Sequence, residues 1–180
     1  MFAEESNLDE IEYGNYKKGF FRYIIQEGKL ISDWPTVKFY YSSKASDLES
    51  EYLLNSWRWP IIHKKVRKVF EGCGFKGIQY LPIRLIDVVT NKLNEDYVVM
   101  NVLNYIDAYD MSMSNFSYNE KYNMYIFVPN AIFLDTKTCS SYDIFRADKN
   151  SVPIYISEKV KDIIIEHDWI GFEFYPQKSN

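Results

Sequence analysis

The chain has 180 residues, of which 47% are hydrophobic and 26% are charged, a composition typical of a globular protein and not of a disordered one. Its formal net charge is −4, which disfavours nucleic acid or an anionic membrane as a partner, because both require a basic surface. No stretch reaches the roughly 18 consecutive apolar residues of a membrane span, and residues 1–5 are acidic where a secretory signal would be basic.

These totals predict a soluble, cytoplasmic protein with one domain over residues 1–180. Residues 1–56 form an N-terminal extension that precedes the two similar segments described below. The two cysteines, Cys73 and Cys139, lack the spacing of a metal or redox site, so we expect free buried thiols, with a disulfide as the alternative. Tyr, Phe and Trp make up 18% of the chain, which suits either a packed core or a surface for protein contacts.

The first third begins with an acidic segment and continues with two short apolar runs. Five acids fall within the first twelve residues, which predicts a solvated arm or a short leading element. Residues 20–26 and 36–41 have the composition of strands, separated by a turn at Trp34 and Pro35. Residues 43–55 are polar and predict a loop with at most one helical turn.

Two later segments repeat each other. Residues 59–83 (WPIIHKKVRKVFEGCGFKGIQYLPI) and 153–177 (PIYISEKVKDIIIEHDWIGFEFYPQ) align without a gap at an offset of 94. Identical residues stand at Lys65 and Lys159, Val66 and Val160, Gly77 and Gly171, and Pro82 and Pro176. Each copy predicts a strand, a short helix opened by His63 or Ser157, and a second strand that includes Ile78 and Tyr80 or Phe172 and Phe174. We expect the two units to superpose.

The segment between the copies reads mainly as strands. Residues 77–89 and 97–109 predict two long strands joined as a hairpin by the polar residues 91–96. Residues 112–123 predict a loop, and short strands follow at 124–128 and 132–134. Strands therefore segregate from two predicted helices, which indicates an α+β fold with a mixed or antiparallel sheet and two pseudo-repeated strand–helix–strand units.

One stretch stands out as a candidate partner-binding surface. If residues 101–110 (NVLNYIDAYD) form one strand, alternate residues from Asn101 to Tyr109 share a face. From Asp87 to Glu120 there are six acids and one Lys, a local net charge of −5. The candidate binding residues are Tyr97, Tyr105, Asp107, Tyr109 and Asp110. The plainer interpretation, which carries more weight, is a solvated strand face with Asp107 paired internally, for instance to Arg146.

No pattern for catalysis, metal binding or cofactor binding is present. His63 and His167 lack neighbouring ligand residues and are expected to be structural or surface residues. The chain has no glycine-rich phosphate loop and no paired nucleophile and base. A run of four basic residues, Lys64, Lys65, Arg67 and Lys68, is a weak signal for phosphate binding. We therefore expect no cofactor and no enzymatic activity.

Three segments together resemble a known family. They are PIIHKKVRKVFEGCGFKGIQYLPIRL, YVVMNVLNYIDAYDMSMS and YDIFRADKNSVPIYISEKVKDIIIEHDWIGFEF, and the resemblance covers roughly residues 57–176. In order and pattern the chain resembles a bacterial family first catalogued as a domain of unknown function and then grouped as the eleventh family of immunity proteins of polymorphic toxin systems. The resemblance implies a small cytoplasmic protein that binds a toxin made beside it. It marks no toxin-binding residue.

Three functions follow from these observations. The leading hypothesis is an immunity protein that neutralises a cognate toxin, such as a basic nuclease-like toxin, by occlusion. The first alternative is an enzyme of unrecognised type, which would need a pocket with convergent polar groups. The second is a general adaptor or self-assembling protein, which would need a large apolar patch on a symmetric dimer.

Overall fold

The computed structural model describes residues 2–3, 21–43 and 50–180, and these residues form both strands and helices. The strands are β1 (Phe2–Ala3), β2 (Val37–Tyr41), β3 (Tyr52–Asn55), β4 (Ile61–His63), β5 (Ile78–Asp87), β6 (Leu93–Asn94), β7 (Tyr97–Val102), β8 (Tyr105–Ile106), β9 (Phe116–Asn119), β10 (Met124–Phe127), β11 (Phe133–Leu134), β12 (Ile144–Ala147), β13 (Asn150–Ile156) and β14 (Lys178–Ser179). The helices are a 3-10 helix (Phe21–Gln26), α1 (Lys64–Gly72), α2 (Thr136–Cys139) and α3 (Glu158–Glu166). The predicted α+β class is confirmed. Most of the predicted acidic arm, from residue 4 onward, lies outside the described residues.

The largest sheet is mixed and curled. Its strand order is β1–β3–β4–β7–β5–β2, and β6 pairs with β5. The pairs β1–β3 and β2–β5 are parallel, whereas β7 pairs antiparallel with both β4 and β5. The strands at the two ends of this order, β1 and β2, lie in contact, which curls the sheet. The predicted hairpin is confirmed where Ile78 to Pro82 pair with residues 98–102.

One face of the curled sheet packs around tryptophan and phenylalanine rings. Along β5, Leu81, Ile83 and Leu85 are buried, whereas Pro82 and Arg84 between them are exposed, which is the two-residue period of a strand with one face in the core. These leucines and isoleucines belong to one cluster with Phe39, Trp57 and Trp59. Ring centroids in this cluster lie 4.6 to 5.9 Å apart, within the range of aromatic pairs.

The 3-10 helix adds Ile24 and Ile25 to this cluster. The prediction of a strand at 20–26 is wrong. Both adjacent isoleucines are buried, at 6% and 0% exposure, and a strand covered on one face would have turned one of them away. The loop predicted at 43–55 is wrong in its last part, because β3 begins at Tyr52 and pairs with β4, and residues 44–49 of it lie outside the described residues.

The other face of the sheet is covered by α1 and α3. Val66 and Phe70 of α1 and Val160 and Ile164 of α3 are buried together against β7. Each helix contributes residues four apart, so each presents one apolar stripe to the sheet. Phe75, which follows α1, packs edge-on against Phe70 with ring centroids 5.4 Å apart.

The helices of the two repeats correspond residue by residue. At the offset of 94, both ends of α1 coincide with those of α3, and so do the N-caps His63 and Ser157. Both helices end in the same hydrogen-bonded motif: Gly74 N donates to Glu71 O and Phe75 N to Phe70 O after α1, and Asp168 N to Ile165 O and Trp169 N to Ile164 O after α3. Superposition of the complete units stays a prediction.

The second strand predicted in the later copy is wrong. Phe172 and Phe174 pack against the same cluster as α3, and the Phe172 ring lies 5.1 Å from that of Tyr52. Residues 172–177 nevertheless pair with no strand in the described part of the chain. The alternation therefore marks which side chains face the core and not a hydrogen-bonded ladder.

Smaller sheets complete the structure. The first has the order β13–β12–β8, the second is the hairpin of β9 and β10, and the third pairs β11 with β14. The loop predicted at 112–123 is wrong, because it contains β9, whose Phe116 and Tyr118 lie opposite Phe127 and Tyr125 in the hairpin. Of the helices in the described residues, none has both the length and the apolar content to cross a membrane.

Candidate partner-binding surface

The predicted strand face from Asn101 to Tyr109 is interrupted at Asn104. β7 ends at Val102, and the Asn104 amide donates to the carbonyl oxygens of Lys76 at 3.0 Å and Ile144 at 2.8 Å. A Cβ at Gly77, where φ is +72°, would lie 2.0 Å from the Asn104 side chain, so glycine makes room for this contact. The chain then enters β8 in a different sheet. The prediction of one continuous strand face is wrong.

The five candidate residues differ sharply in burial. Tyr97 and Tyr109 are only 2% and 4% exposed, whereas Tyr105 is 39% exposed and the carboxylate of Asp107 is also exposed. Asp110 is half-buried. Burial raises the pKa of Tyr97 to about 12 and also raises that of Tyr109. The structure therefore leaves Tyr105, Asp107 and Asp110 within reach of a partner, and it places Tyr97 and Tyr109 beneath the surface.

The buried tyrosines have structural contacts. The Tyr97 hydroxyl donates to the Ser50 carbonyl oxygen at 2.9 Å. The Tyr109 and Tyr155 hydroxyls share a hydrogen bond of 2.9 Å, and the Tyr109 ring packs 4.6 Å from that of Phe127. Tyr97 therefore ties β7 to the segment before β3, and Tyr109 contacts both β13 and β10.

Most acids of the run from Asp87 to Glu120 have partners within the protein. Burial raises the pKa of Asp87, but hydrogen bonds from Thr90 and from the Ser43 and Val89 amides outweigh it and hold that pKa well below its usual range. Glu95 pairs with Arg84 at 3.1 Å. Asp110 accepts hydrogen bonds from Ser112, which lowers its pKa despite some desolvation. The local net charge of −5 in the sequence is therefore not one unpaired acidic patch.

Asp107 pairs with Lys149 and not with Arg146. Arg146 is 1% exposed and lies at a register shift in β12, where its Nη1 donates to the carbonyl oxygens of Ser151 and Val152. Burial lowers the pKa of its guanidinium, although hydrogen bonds to two carbonyl oxygens accommodate the charge. The suggested Asp107–Arg146 pair is wrong, and the internal pairing of Asp107 has a different partner.

The basic run on α1 is partly used by the fold. Lys65 forms an ion pair with Glu51, a buried carboxylate. Arg67 pairs with Glu71 at 2.9 Å and lies over the Tyr80 ring at 5.1 Å. Lys64 and Lys68 remain exposed. Two of the four basic residues therefore serve the fold, which weakens the hypothesis that the run binds phosphate.

Sequence reasoning missed two exposed apolar side chains, one on α3 and one in the turn after it. Ile165 on α3 is 55% exposed, and Ile170 after the helix is 59% exposed. The signal was present in the sequence. Three consecutive isoleucines, 163–165, cannot all lie on one side of a helix, because successive residues are about 100° apart.

The histidines cap the two repeat helices. His63 Nδ1 accepts a hydrogen bond from Lys65 N at 3.0 Å, and His167 Nδ1 lies 2.8 Å from the Ile163 carbonyl oxygen. Within the part of the chain that the structure describes, no three His, Cys, Asp or Glu side chains gather as metal ligands would. Both cysteines are free, and Cys73 is exposed where a buried thiol was expected.

Comparison with protein families identifies the family of this chain. The sequence profile described as the immunity protein family (Imm11) matches residues 8–179, nearly the whole chain. No curated protein matches the chain significantly. The match covers both repeat helices, the turn at Asn104 and the exposed surface at Ile165 and Ile170.

Proposed function

Because the chain belongs to the immunity protein family (Imm11), we propose that it protects the cell that makes it by binding a cognate polymorphic toxin and occluding the toxin's active site. The family match over residues 8–179 is the observation that carries this proposal. Occlusion requires no catalytic group in this chain. Among the described residues, His63 caps a helix, Asp87 accepts hydrogen bonds in a turn, and Arg146 donates to carbonyl oxygens, so all three have structural contacts.

The toxin in this proposal is a basic protein that acts on nucleic acid. Enzymes of that kind must hold phosphates and therefore carry a basic surface, which a chain of net charge −4 complements. Binding would take place in the cytoplasm, where such a toxin meets its target. Tyr105, Asp107 and Asp110 stay candidates for the contact, and buried Tyr109 lies in one cluster with the neighbouring Ile106 and Met111. Tyr97 belongs to a different core cluster.

A growth experiment tests the proposal. The toxin domain encoded beside the gene for this chain is expressed under a tight promoter, with and without the full chain. We expect growth to stop with the toxin domain alone and to be restored by the chain. An unrelated toxin domain serves as the control and should remain lethal. Arrest that the chain does not relieve, or a neighbouring gene that encodes no toxin, would contradict the proposal.

A further inference from the structure

The two repeat helices share one framework but present different surfaces. α1 and α3 have the same length, equivalent N-caps and the same C-terminal hydrogen bonds. At the offset of 94, exposed Lys64, Lys68 and Glu71 of α1 correspond to exposed Glu158, Asp162 and Ile165 of α3. Helix length, N-cap and C-terminal hydrogen bonds therefore do not determine which residues are exposed. The difference between the exposed residues of α1 and those of α3 has another cause.

Of the two repeat helices, only α3 exposes a large apolar side chain. In α1, Val66 and Phe70 are buried and Val69 is half-buried, so no large apolar residue of that helix is exposed. In α3, Ile165 is 55% exposed at the position where α1 carries Glu71. A β-branched isoleucine has a lower helix propensity than glutamate. Ile165 therefore lowers the stability of the isolated helix, and it does not contribute to the core.

A second apolar side chain, Ile170, is held in a fixed place after α3. Its carbonyl oxygen accepts hydrogen bonds from Ser50 Oγ, Glu51 N and Tyr52 N at 3.0 to 3.2 Å, and its amide donates to Glu51 Oε2 at 2.6 Å. At Gly171, where φ is +96°, a Cβ would lie 2.2 Å from the Tyr52 carbonyl oxygen. Four hydrogen bonds thus fix the backbone while the Ile170 side chain stays 59% exposed.

Acidic residues flank these isoleucines along the sequence. Residues 158–175 hold five acids and two lysines, a local net charge of −3; the acids are Glu158, Asp162, Glu166, Asp168 and Glu173. Glu158, Asp162 and Glu166 are four apart along α3, where like charges repel, and Glu166 opposes the helix dipole in the last turn. Glu158, in the first turn, suits the helix dipole and pairs with Lys161, so the unfavourable charges are those of Asp162 and Glu166, and a basic partner would relieve their repulsion.

We propose that the toxin docks on the exposed face of α3 and the turn after it, with Ile165 and Ile170 entering an apolar recess that has a basic rim. The inference rests on the proposed function and assigns the main contact to α3 and the turn after it, with Tyr105, Asp107 and Asp110 as the alternative surface. A prearranged apolar anchor loses little conformational entropy on binding, which favours slow dissociation. The acids that flank the anchors along the sequence attract a basic surface and favour fast association.

Two substitutions on α3 separate these contributions, each taking the residue that α1 carries at the equivalent position. Ile165→Glu removes an anchor and keeps the negative potential, so we expect dissociation to become about tenfold faster with little change in association. Asp162→Lys reverses one charge at the rim, so we expect association to slow severalfold at low salt and to recover at high salt. The matched control on α1 is Lys68→Asp, which should bind like the unaltered chain.

Binding kinetics are measured between the full chain and the adjacent gene's toxin domain carrying an inactivating substitution. Circular dichroism verifies that each variant is folded, and hydrogen exchange on the unaltered complex provides a measurement independent of the variants. Protection of residues 162–171 together with weaker binding by the α3 variants supports the docking surface. Normal binding by both α3 variants, equal loss in the α1 control, or no protection of this segment would overturn it. Absence of any binding by the unaltered chain would instead overturn the proposed function.

Discussion

At the scale of single residues, three consecutive isoleucines of α3 illustrate how position decides the role of a side chain. Ile163 is half-buried, Ile164 is 3% exposed and Ile165 is 55% exposed. Only Ile164 lies fully within the cluster beneath the helix. In the sequence, Val160, Ile163 and Ile164 stand at i, i+3 and i+4, a spacing that predicts one apolar side of a helix, and this side of α3 is the one that packs against the core.

The first prediction compares two of these isoleucines. Ile164→Ala should lower the free energy of unfolding by about 2–5 kcal/mol, because it leaves a cavity in the core. Ile165→Ala removes the same atoms from an exposed position and should change stability by less than about 0.5 kcal/mol. Chemical denaturation of both variants measures the difference. Equal costs would show that the buried face of α3 is misassigned.

At the scale of elements, the two repeat helices begin with different caps. Ser157 Oγ accepts from Val160 N in α3, and His63 Nδ1 accepts from Lys65 N in α1. Burial, and then nearby Lys65, lowers the pKa of His63 below 6.5. The His63 ring therefore binds a proton less readily in the folded protein than in the unfolded chain. The cap stabilises α1 above about pH 6.5, and this contribution is lost as the pH falls through the folded-state pKa.

The second prediction uses the serine cap as the control. At pH 8, His63→Ala and Ser157→Ala should each cost about 1 kcal/mol of stability. At pH 5 the cost of His63→Ala should shrink, because a protonated ring nitrogen no longer accepts a hydrogen bond, while that of Ser157→Ala should persist. Denaturation at the two pH values provides the comparison. A cost of His63→Ala that does not depend on pH would contradict the capping role.

The elements that were predicted correctly are those whose sequence pattern fits only one kind of secondary structure. The hairpin of β5 and β7 and the helices α1 and α3 follow from alternation and from apolar stripes. The 3-10 helix at Phe21–Gln26 was missed because its apolar residues also suit a strand. The strand expected at Phe172 was wrong because alternation reports burial and does not reveal whether a neighbouring strand is there to pair.

At the scale of the whole molecule, the candidate surface could not be located from charge along the sequence. The acids from Asp87 to Glu120 read as one patch, but Arg84 pairs with Glu95, Lys149 pairs with Asp107, and the Ser43 amide donates to Asp87. The turn at Asn104 depends on the carbonyl oxygens of Lys76 and Ile144, which are 28 and 40 residues away. Such contacts are set by tertiary structure.

The third prediction concerns the response of the whole fold to alkaline pH. Burial raises the pKa of six tyrosines above 10.0: Tyr41, Tyr52, Tyr80, Tyr97, Tyr109 and Tyr155. Their contribution to stability is complete below pH 10 and is lost as the pH rises through the folded-state values, such as about 12 for Tyr97. The lowered pKa of Arg146 acts in the opposite direction, but it is one group against six.

We therefore expect stability to fall steeply between about pH 10 and 12. Tyrosinate absorbance should rise in a sharp step that coincides with unfolding seen by tryptophan fluorescence. The exposed Tyr175 provides an internal contrast, because Tyr175→Phe should leave the step in place. Gradual tyrosine ionisation while the fluorescence of the folded protein persists would contradict the assigned burial.

The most direct test of the account is a titration of the adjacent gene's active toxin domain with the purified full chain. Occlusion predicts that toxin activity falls in proportion to the chain added, reaches zero at equimolar amounts, and returns when the complex is dissociated and the two proteins are separated. Full toxin activity in the presence of excess chain would contradict the immunity role. Permanent inactivation by a small fraction of an equivalent would show that the chain acts as an enzyme, and would contradict occlusion.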